Sequence, residues 1–501
     1  MKRSKFSLSN YKLLSCEPGE LIPCGLFEVL PGDSIQQSTN ALLRTQPLLA
    51  PIMHPVNVRI HHWFVPFRLI WDDWEDFITG GPDGLNSSTS PTIDFSGGAV
   101  AQGDLADYLG FPIGFDGNAS ALPFRAYALI YNEWYRDQDL ITALTIDTTD
   151  GTDSTTSTDL QNIAWERDYF TRARPWEQKG PAVTIGLAGT APVKGIGFYD
   201  STAVSPSWKT TGDVHGTEGD DITPADTDGD RWEGGGSTAV YLRQDASNLS
   251  HPNVWADLTS ATGVTVSALR EALGLQRYEE ARARYGSRYT EYLRYLGVRS
   301  SDARLQRPEY LGGGNQNIQF SEVLQTAEGT NDVGTLRGHG IAALRSNRYR
   351  RFIEEHGYVM TFISARPKTI YMEGVPRMFN KPEKEDYWQM ELQHIGQQEI
   401  ENQELYFAHT TPTGVFGYGD RYDEYRRVHS TVAGEFRNST LNHWHMARDF
   451  TADPALNQSF VECVPTTRVW PSAAEDKLYI MARHSIQARR LVSGSSASYI
   501  F

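Results

Sequence analysis

The sequence predicts a mainly β protein, an antiparallel sandwich or jelly roll with long loop and helical insertions. Three observations carry this. Short segments rich in β-branched and aromatic residues recur with long connections between them. One stretch, His54–Gly81, opens with the period of a strand and closes with that of a helix. No repeat of fixed period is present, which sets solenoids and propellers aside.

The stretch His54–Gly81 organises the rest. Val56, Val58 and Ile60 fall on one face and Asn57, Arg59 and His61 on the other, as in a strand with one buried side. From Trp63 both parities turn apolar through Phe64, Val65, Phe67, Leu69 and Ile70, the pattern of a strand covered on both faces. Trp71, Trp74, Phe77 and Ile78 then share a helical face among Asp72, Asp73, Glu75 and Asp76. Acids in a first turn suit the positive end of the helix dipole, and Gly80-Gly81-Pro82 ends the helix.

Around this element the chain divides by composition. Residues 1–53 read as an extended, irregular N-terminal arm, basic at its start and punctuated by Pro and Gly. Residues 54–189 hold the first part of the β core, with a helix expected over Phe124–Leu144 on the spacing of Ala128, Tyr131 and Tyr135. The polar run 147–159 reads as an exposed loop and Ala182–Leu187 as a further strand. Residues 190–262 are rich in Gly, Ser, Thr and Asp, with eight acids against the single base Arg231 between Asp213 and Glu233. Such a segment lacks the apolar surface for a core and reads as either disordered or a protruding loop excursion. Residues 263–501 begin with a helical stretch, Ser267–Gly297, which Gly274 and Gly286 are expected to interrupt. Asp302–Gly314 follows, extended around Pro308 and closed by three glycines. Strands Tyr358–Ala365, Lys368–Met372 and Leu478–Ala482 and a small polar tail complete the chain.

The formal net charge of the 501 residues is −16, so contact with nucleic acid has to come from a local basic patch. Two candidates stand out. Lys2, Arg3 and Lys5 open the arm. Arg348, Arg350 and Arg351, with Arg345 just before them, cluster around Tyr349, and interleaved Arg and Tyr suit phosphate contact and base stacking. The alternative for the second patch is ion pairing with the acidic surface of a neighbouring copy.

Other chemistries find little support. Asp226, Asp228 and Asp230 are spaced like a calcium loop, but Arg231 and Ser237 stand where the glycine and bidentate glutamate belong. His443 with His445, and His61 with His62, lack a third ligand at metal spacing. No nucleophile elbow, zinc-protease helix or phosphate loop occurs, so neither catalysis nor a cofactor is expected. Cys16, Cys24 and Cys463 form an odd set without a CxxC and read as reduced thiols. No apolar run follows the basic N-terminus or approaches the roughly 20 residues of a membrane helix, so neither a signal peptide nor membrane insertion is expected.

Several long stretches resemble the major capsid protein of microviruses, the small single-stranded DNA phages, most closely its gokushovirus-type branch. They are DDWEDFITGG (72–81), LIYNEWYRDQDL (129–140), DYFTRARPWEQKG (168–180), SRYTEYLRYLGVRSSDARLQRPEYLGGG (287–314), EEHGYVMTFISARP (354–367), FGYGDRYDEYRR (416–427) and LNHWHMAR (441–448). The resemblance implies a single eight-stranded antiparallel jelly roll that self-assembles into a T=1 icosahedral shell around circular single-stranded DNA. It further implies a small basic DNA-binding protein and other virion proteins as partners. A host surface receptor would be met by a surface protrusion, for which 190–262 is the candidate by order along the chain. Localisation would be the virion, after assembly in the host cytoplasm. The competing reading is a carbohydrate-binding or carbohydrate-active β-sandwich that stacks sugars on its many Trp and Tyr.

Overall fold

A computed structural model of the chain describes residues 3–183, 266–285, 288–302, 304–326 and 333–493, and the backbone alone of short strands between Val193 and Ala256. It divides into two compact units, one of residues 1–179 with 280–501 and the other of residues 180–279.

Two main sheets of the first unit take eleven of its strands: β1 Ser4–Ser7, β2 Asn10–Cys16, β3 Ile22–Val29, β4 Ser34–Thr45, β5 Val56–Pro66, β6 Glu309–Asn317, β7 Gln319–Leu324, β8 Leu336–Arg345, β9 Tyr349–Phe352, β10 Gly357–Pro367 and β11 Leu478–Arg490. Seven form one antiparallel sheet in the order β1-β11-β4-β8-β7, with β2 also on β11 and β9 also on β4; four form another, β6-β5-β10-β3. The two sheets meet in two apolar clusters, the smaller of them around Val29, Phe64, Val359, Ile35 and Ile486. In the larger, Val56, Val58, Ile60 and Ile363 of the four-stranded sheet pack with Leu43, Leu344, Ile480 and Ala482 of the seven-stranded one.

The element β5 behaves as its pattern predicts. It pairs with β10 in continuous register from Val56↔Pro367 to Pro66↔Gly357. One parity faces the other sheet. The other, through Trp63 and Val65, packs under a second core made with Phe67, Trp71, Phe124 and Tyr127. The chain then turns into the short helix α1, Trp74–Thr79, which Gly80 ends at φ +86°, a conformation open to glycine without strain. A second short helix, α2, spans Leu105–Leu109. The cover over Trp63 is α3, Leu122–Ile130, with Pro123 in its first turn and nearly every side chain buried. A π-helical turn, Tyr131–Tyr135, ends it, so the helix is shorter than the predicted Phe124–Leu144.

Four sequence expectations need correction. Residues 4–45 are extended but not irregular: they supply β1 to β4, and β4 lies between β11 and β8 inside the larger sheet. Pro18-Gly19 and Pro31-Gly32 mark strand ends, while Pro23 and Gly25 lie within β3, and the strands' partners lie hundreds of residues away, where no local pattern shows them. The glycines of Asp302–Gly314 continue β6 instead of closing it. A Cβ on Gly313 would sit 2.3 Å from the Ile60 carbonyl oxygen, so only glycine allows the two backbones to approach so closely. The polar run 147–159 is anchored by Asp153, fully buried against Arg125 Nε at 2.8 Å. Finally, the helix α4, Val266–Tyr285, runs through Gly274 without a break; α5 follows at Tyr289–Tyr295, and Gly286 lies outside the described residues, as does most of Ala182–Leu187.

Between the sheets runs one buried polar row. Gln37, Thr39, His62, Ser346, Thr361 and His484 sit where the alternation calls for apolar residues. Each has a partner: His62 Nδ1 meets Thr361 Oγ1 at 2.9 Å and its Nε2 meets Ser346 Oγ at 3.0 Å. Thr39 Oγ1 meets His484 Nδ1 at 2.9 Å, and Gln37 Nε2 donates to Thr361 Oγ1 at 3.1 Å. Satisfied in this way, the row costs little and fixes which strand faces which.

The second unit carries a five-stranded antiparallel sheet centred on Ile196–Asp200, Thr238–Leu242 and Arg231–Glu233. The insertion thus forms strands of two to five residues within what composition marks as a coreless excursion.

Candidate nucleic-acid interface

One face of the seven-stranded sheet packs on the core and the other meets solvent. The solvent-facing positions follow from the register. Across β1, β11, β4 and β9 one row reads Lys5, Arg489, Ser34, Phe352, and another Ser7, Gln487, Gln36, Arg350. Across β2, β11, β4 and β8 the rows are Tyr11, Arg483, Asn40, Arg345 and then Leu13, Met481, Leu42, Ala343. Tyr479 and Arg44 lie beyond them, with His339 and Arg337 further along β8.

Seven of these positions are cations: Lys5, Arg44, Arg337, Arg345, Arg350, Arg483 and Arg489. No strand position on this face is Asp or Glu, in a chain of net charge −16. Among the described residues none of the seven comes within 4.0 Å of a carboxylate. Aromatic rings lie among them. Tyr11, Phe352 and Tyr479 are 64%, 47% and 42% exposed, with the Arg483 guanidinium 5.6 Å from the Tyr11 ring. Cations that hold phosphates beside rings that hold bases are what a single-stranded nucleic acid needs.

The structure brings part of both sequence candidates to this face. Arg3 lies 5.0 Å over the Phe352 ring and reaches Ser34 Oγ at 3.4 Å, which joins the N-terminal patch to the arginine-rich one. Lys5 and Arg350 sit in adjacent rows, and Arg348 is exposed in the turn before β9. Arg351 points to the opposite face and pairs with Glu309 Oε1 at 2.6 Å. Tyr349 is buried and donates to Gln37 Oε1 at 2.6 Å, so it offers no ring for stacking. Strand alternation separates them, since neighbours in SNRYRR point to opposite faces. Lys2 lies outside the described residues. Arg44, Arg337, Arg483 and Arg489 were not among the candidates. For Arg483 and Arg489 the signal is the polar parity of LYIMARHSIQARR, partly hidden by Tyr479 and Met481.

In both histidine pairs ring nitrogens already hold partners. His445 sits just past a 3-10 turn at Asn442–Trp444. Its Nε2 bonds the Phe436 carbonyl at 2.9 Å, and its Nδ1 accepts from Arg468 at 3.1 Å. His61 Nδ1 meets Tyr135 OH at 2.7 Å. Asp226–Asp230 lie outside the described residues. Cys16, Cys24 and Cys463 are free and buried.

Comparison with known proteins decides the class. Residues 1–490 match the family described as Capsid protein (F protein). The chain belongs to this capsid protein family. The capsid protein VP1 of Bdellovibrio phage phiMH2K is 36% identical over 92% of this chain and 88% of its own length. Those of Chlamydia phage 1 and Spiroplasma virus 4 are 32% and 31% identical, again over 92% of this chain and over 89% and 87% of theirs. This capsid protein is therefore a structural component of a phage virion, made to assemble in many copies. No helix among its described residues is long and apolar enough to cross a membrane.

Proposed function

We propose that copies of this capsid protein close a T=1 icosahedral shell around circular single-stranded DNA, with the acid-free face of the seven-stranded sheet turned toward the genome. That face is the observation that carries the reading. A strongly acidic chain that collects seven cations on one sheet surface, none within 4.0 Å of a carboxylate among the described residues, has a use for them only against an anion. Two antiparallel sheets facing each other over a shared apolar interior suit a jelly roll with long insertions. Exposed apolar side chains between Arg377 and Phe407 suit subunit contacts. Met378, Phe379, Met390 and Phe407 are each at least 60% exposed, a density unusual for a surface meant to stay in water.

In this reading the protein catalyses no reaction and carries no cofactor. A small basic protein neutralises the remaining phosphates, the 190–262 insertion meets the host receptor, and assembly takes place in the host cytoplasm. Reconstruction of assembled particles tests the proposal. A closed particle of megadalton mass, with nucleic-acid density against Arg345, Arg350 and Arg483, is the expected result. A stable monomer that binds oligosaccharides overturns it in favour of a carbohydrate-binding sandwich.

A further inference from the structure

A cavity of about 300 Å³ lies on the other side of the molecule's β core, lined by residues of the first unit alone. Five arginines converge on it: Arg59 of β5, Arg136 after the π turn, Arg167, Arg288 at the start of α5, and Arg366 of β10. None of the five lies within 4.0 Å of a carboxylate among the described residues. The two acids in the lining each have their nearest cation outside the five. Asp137 faces Arg174 at 3.5 Å, and Glu166 faces Lys368 at 2.9 Å.

Three of the arginines are held in place by neutral groups. Arg288 Nη2 donates to the carbonyls of Asn132 and Arg136, each at 2.9 Å, and Arg366 Nη1 to that of Ala164 at 2.9 Å. Arg59 Nε donates to Asn57 Oδ1 at 2.9 Å. Burial pulls the Arg288 and Arg366 guanidinium pKa values down, with Arg136 and Arg167 adding to the first and Arg59 to the second. Burial, Arg59 and Arg366 likewise push His61 down to about 4, so at neutral pH it is an uncharged hydrogen-bonding group. Glu166 offsets part of the charge on Arg59 and Arg366, and Glu291 and Glu133 part of that on Arg288, but five guanidinium groups round one cavity still outweigh them, and an anion among them is stabilised.

The walls say which anion. Trp134 is packed against Trp63, with centroids 4.6 Å apart, and carries the Arg307 guanidinium 4.3 Å from its ring. Trp165 is buried, with Arg448 5.2 Å from its ring. These rings are already engaged and give a base little room to stack, while planar guanidinium groups match the oxygens of a phosphate. We propose that this cavity binds a phosphate group without reading a base. The phosphate comes either from the backbone of a nucleic-acid strand or from free inorganic phosphate. The site shares no residue with the basic sheet face and stands whether or not that face meets the genome.

The test is calorimetric titration of the purified full-length protein, in phosphate-free buffer, with inorganic phosphate and with an abasic deoxyribose-phosphate oligomer. Saturable phosphate binding is expected. Arg59→Gln with Arg167→Gln should weaken it at least tenfold and raise the melting temperature of the ligand-free protein, because like charges are removed. The sheet-face variant R345Q/R350Q/R483Q should bind phosphate like the parent. An oligomer that outcompetes phosphate assigns the site to a strand, and one that does not assigns it to the free ion; both outcomes support it. No saturable binding of phosphate by the parent overturns the proposal. So does undiminished binding by the folded double variant, or binding of an oligoglutamate peptide alone.

Discussion

Lys5 on β1 stands directly opposite Arg489 on β11, two cations in register on the solvent face of an antiparallel pair. Like charges so placed are destabilising, by up to about 1 kcal/mol per pair. Nothing on that face offsets them, since its strand positions hold no acid. The isolated chain should therefore gain stability when an anion screens the face. Thermal scans at rising NaCl concentration, and with added oligodeoxythymidylate, should show an increasing melting temperature. Lys5→Gln should raise the low-salt value and flatten the response. A melting temperature indifferent to both additions would mean that the repulsion is relieved in another way.

The same face sets how affinity depends on salt. Each phosphate contact on a single strand contributes about −0.7 to the slope of log K against log salt. Replacing Arg345, Arg350 and Arg483 by Gln should reduce the magnitude of the slope by roughly 2 and weaken binding at low salt for every sequence alike. Arg351→Gln is the control. It removes a side chain engaged with Glu309 on the opposite face and should leave the slope unchanged. Fluorescence anisotropy with labelled oligodeoxythymidylate at several salt concentrations checks both.

Much of this face was beyond the reach of local pattern. β5 was legible because its alternation and its two-sided apolar run are contiguous, and both cores form where the pattern puts them. β11 was read only as Leu478–Ala482, yet it runs to Arg490. Tyr479 and Met481 occupy its outward parity and blur the alternation, although they face solvent. Arg489 becomes a neighbour of the predicted Lys5 only through a strand pairing that joins the two ends of the chain. Pairing over such separations leaves no periodic trace in either strand. The cluster SNRYRR was visible as charge, but strand geometry splits it, which composition alone does not reveal.

Arg125 and Asp153 are both fully buried and pair at 2.8 Å. Burial works against the Asp153 carboxylate, yet hydrogen bonds from Thr156 and Arg125 hold its pKa below the ordinary range. Arg125 Nη1 also donates to the carbonyls of Ile70 and Thr149, which ties the 147–159 run to α3 and to the end of the organising element. Asp153→Ala leaves a buried guanidinium unpaired and should cost about 3–5 kcal/mol. Urea unfolding should show the loss as a lower midpoint. Asp159→Ala, in the same run with an exposed side chain, should move it by less than about 0.5 kcal/mol.

Residues 180–279 form a compact unit of their own, and the core strands of the first unit draw nothing from them. If the insertion is the part that meets the host, removing 200–255 should leave particle formation intact and lower adsorption to host cells. Electron microscopy of the deletion protein and a plating or adsorption assay on assembled virions separate the two effects. Loss of particles with a folded subunit would instead place the insertion in shell contacts.

The polar row between the sheets makes stability depend on acid in a predictable direction. His62 is held neutral: burial, with His484 beside it, pushes its pKa down to about 3, while an unfolded chain returns it to about 6.5. His484 is shifted the same way by burial, against the pull of the Cys24 carbonyl bonded to it. Between these limits the unfolded state binds more protons, so unfolding free energy falls as pH drops. The contribution of His62 is fully present above pH 6.5, declines below it, and is gone near pH 3. For a single group shifted this far the loss is on the order of 3–5 kcal/mol. Denaturant unfolding at a series of pH values should show this slope, and His62→Gln, which cannot titrate, should flatten it even where it lowers stability overall. A slope unchanged in the variant would assign the acid sensitivity to other groups, first among them His54 and His61, both pushed down to about 4 by burial.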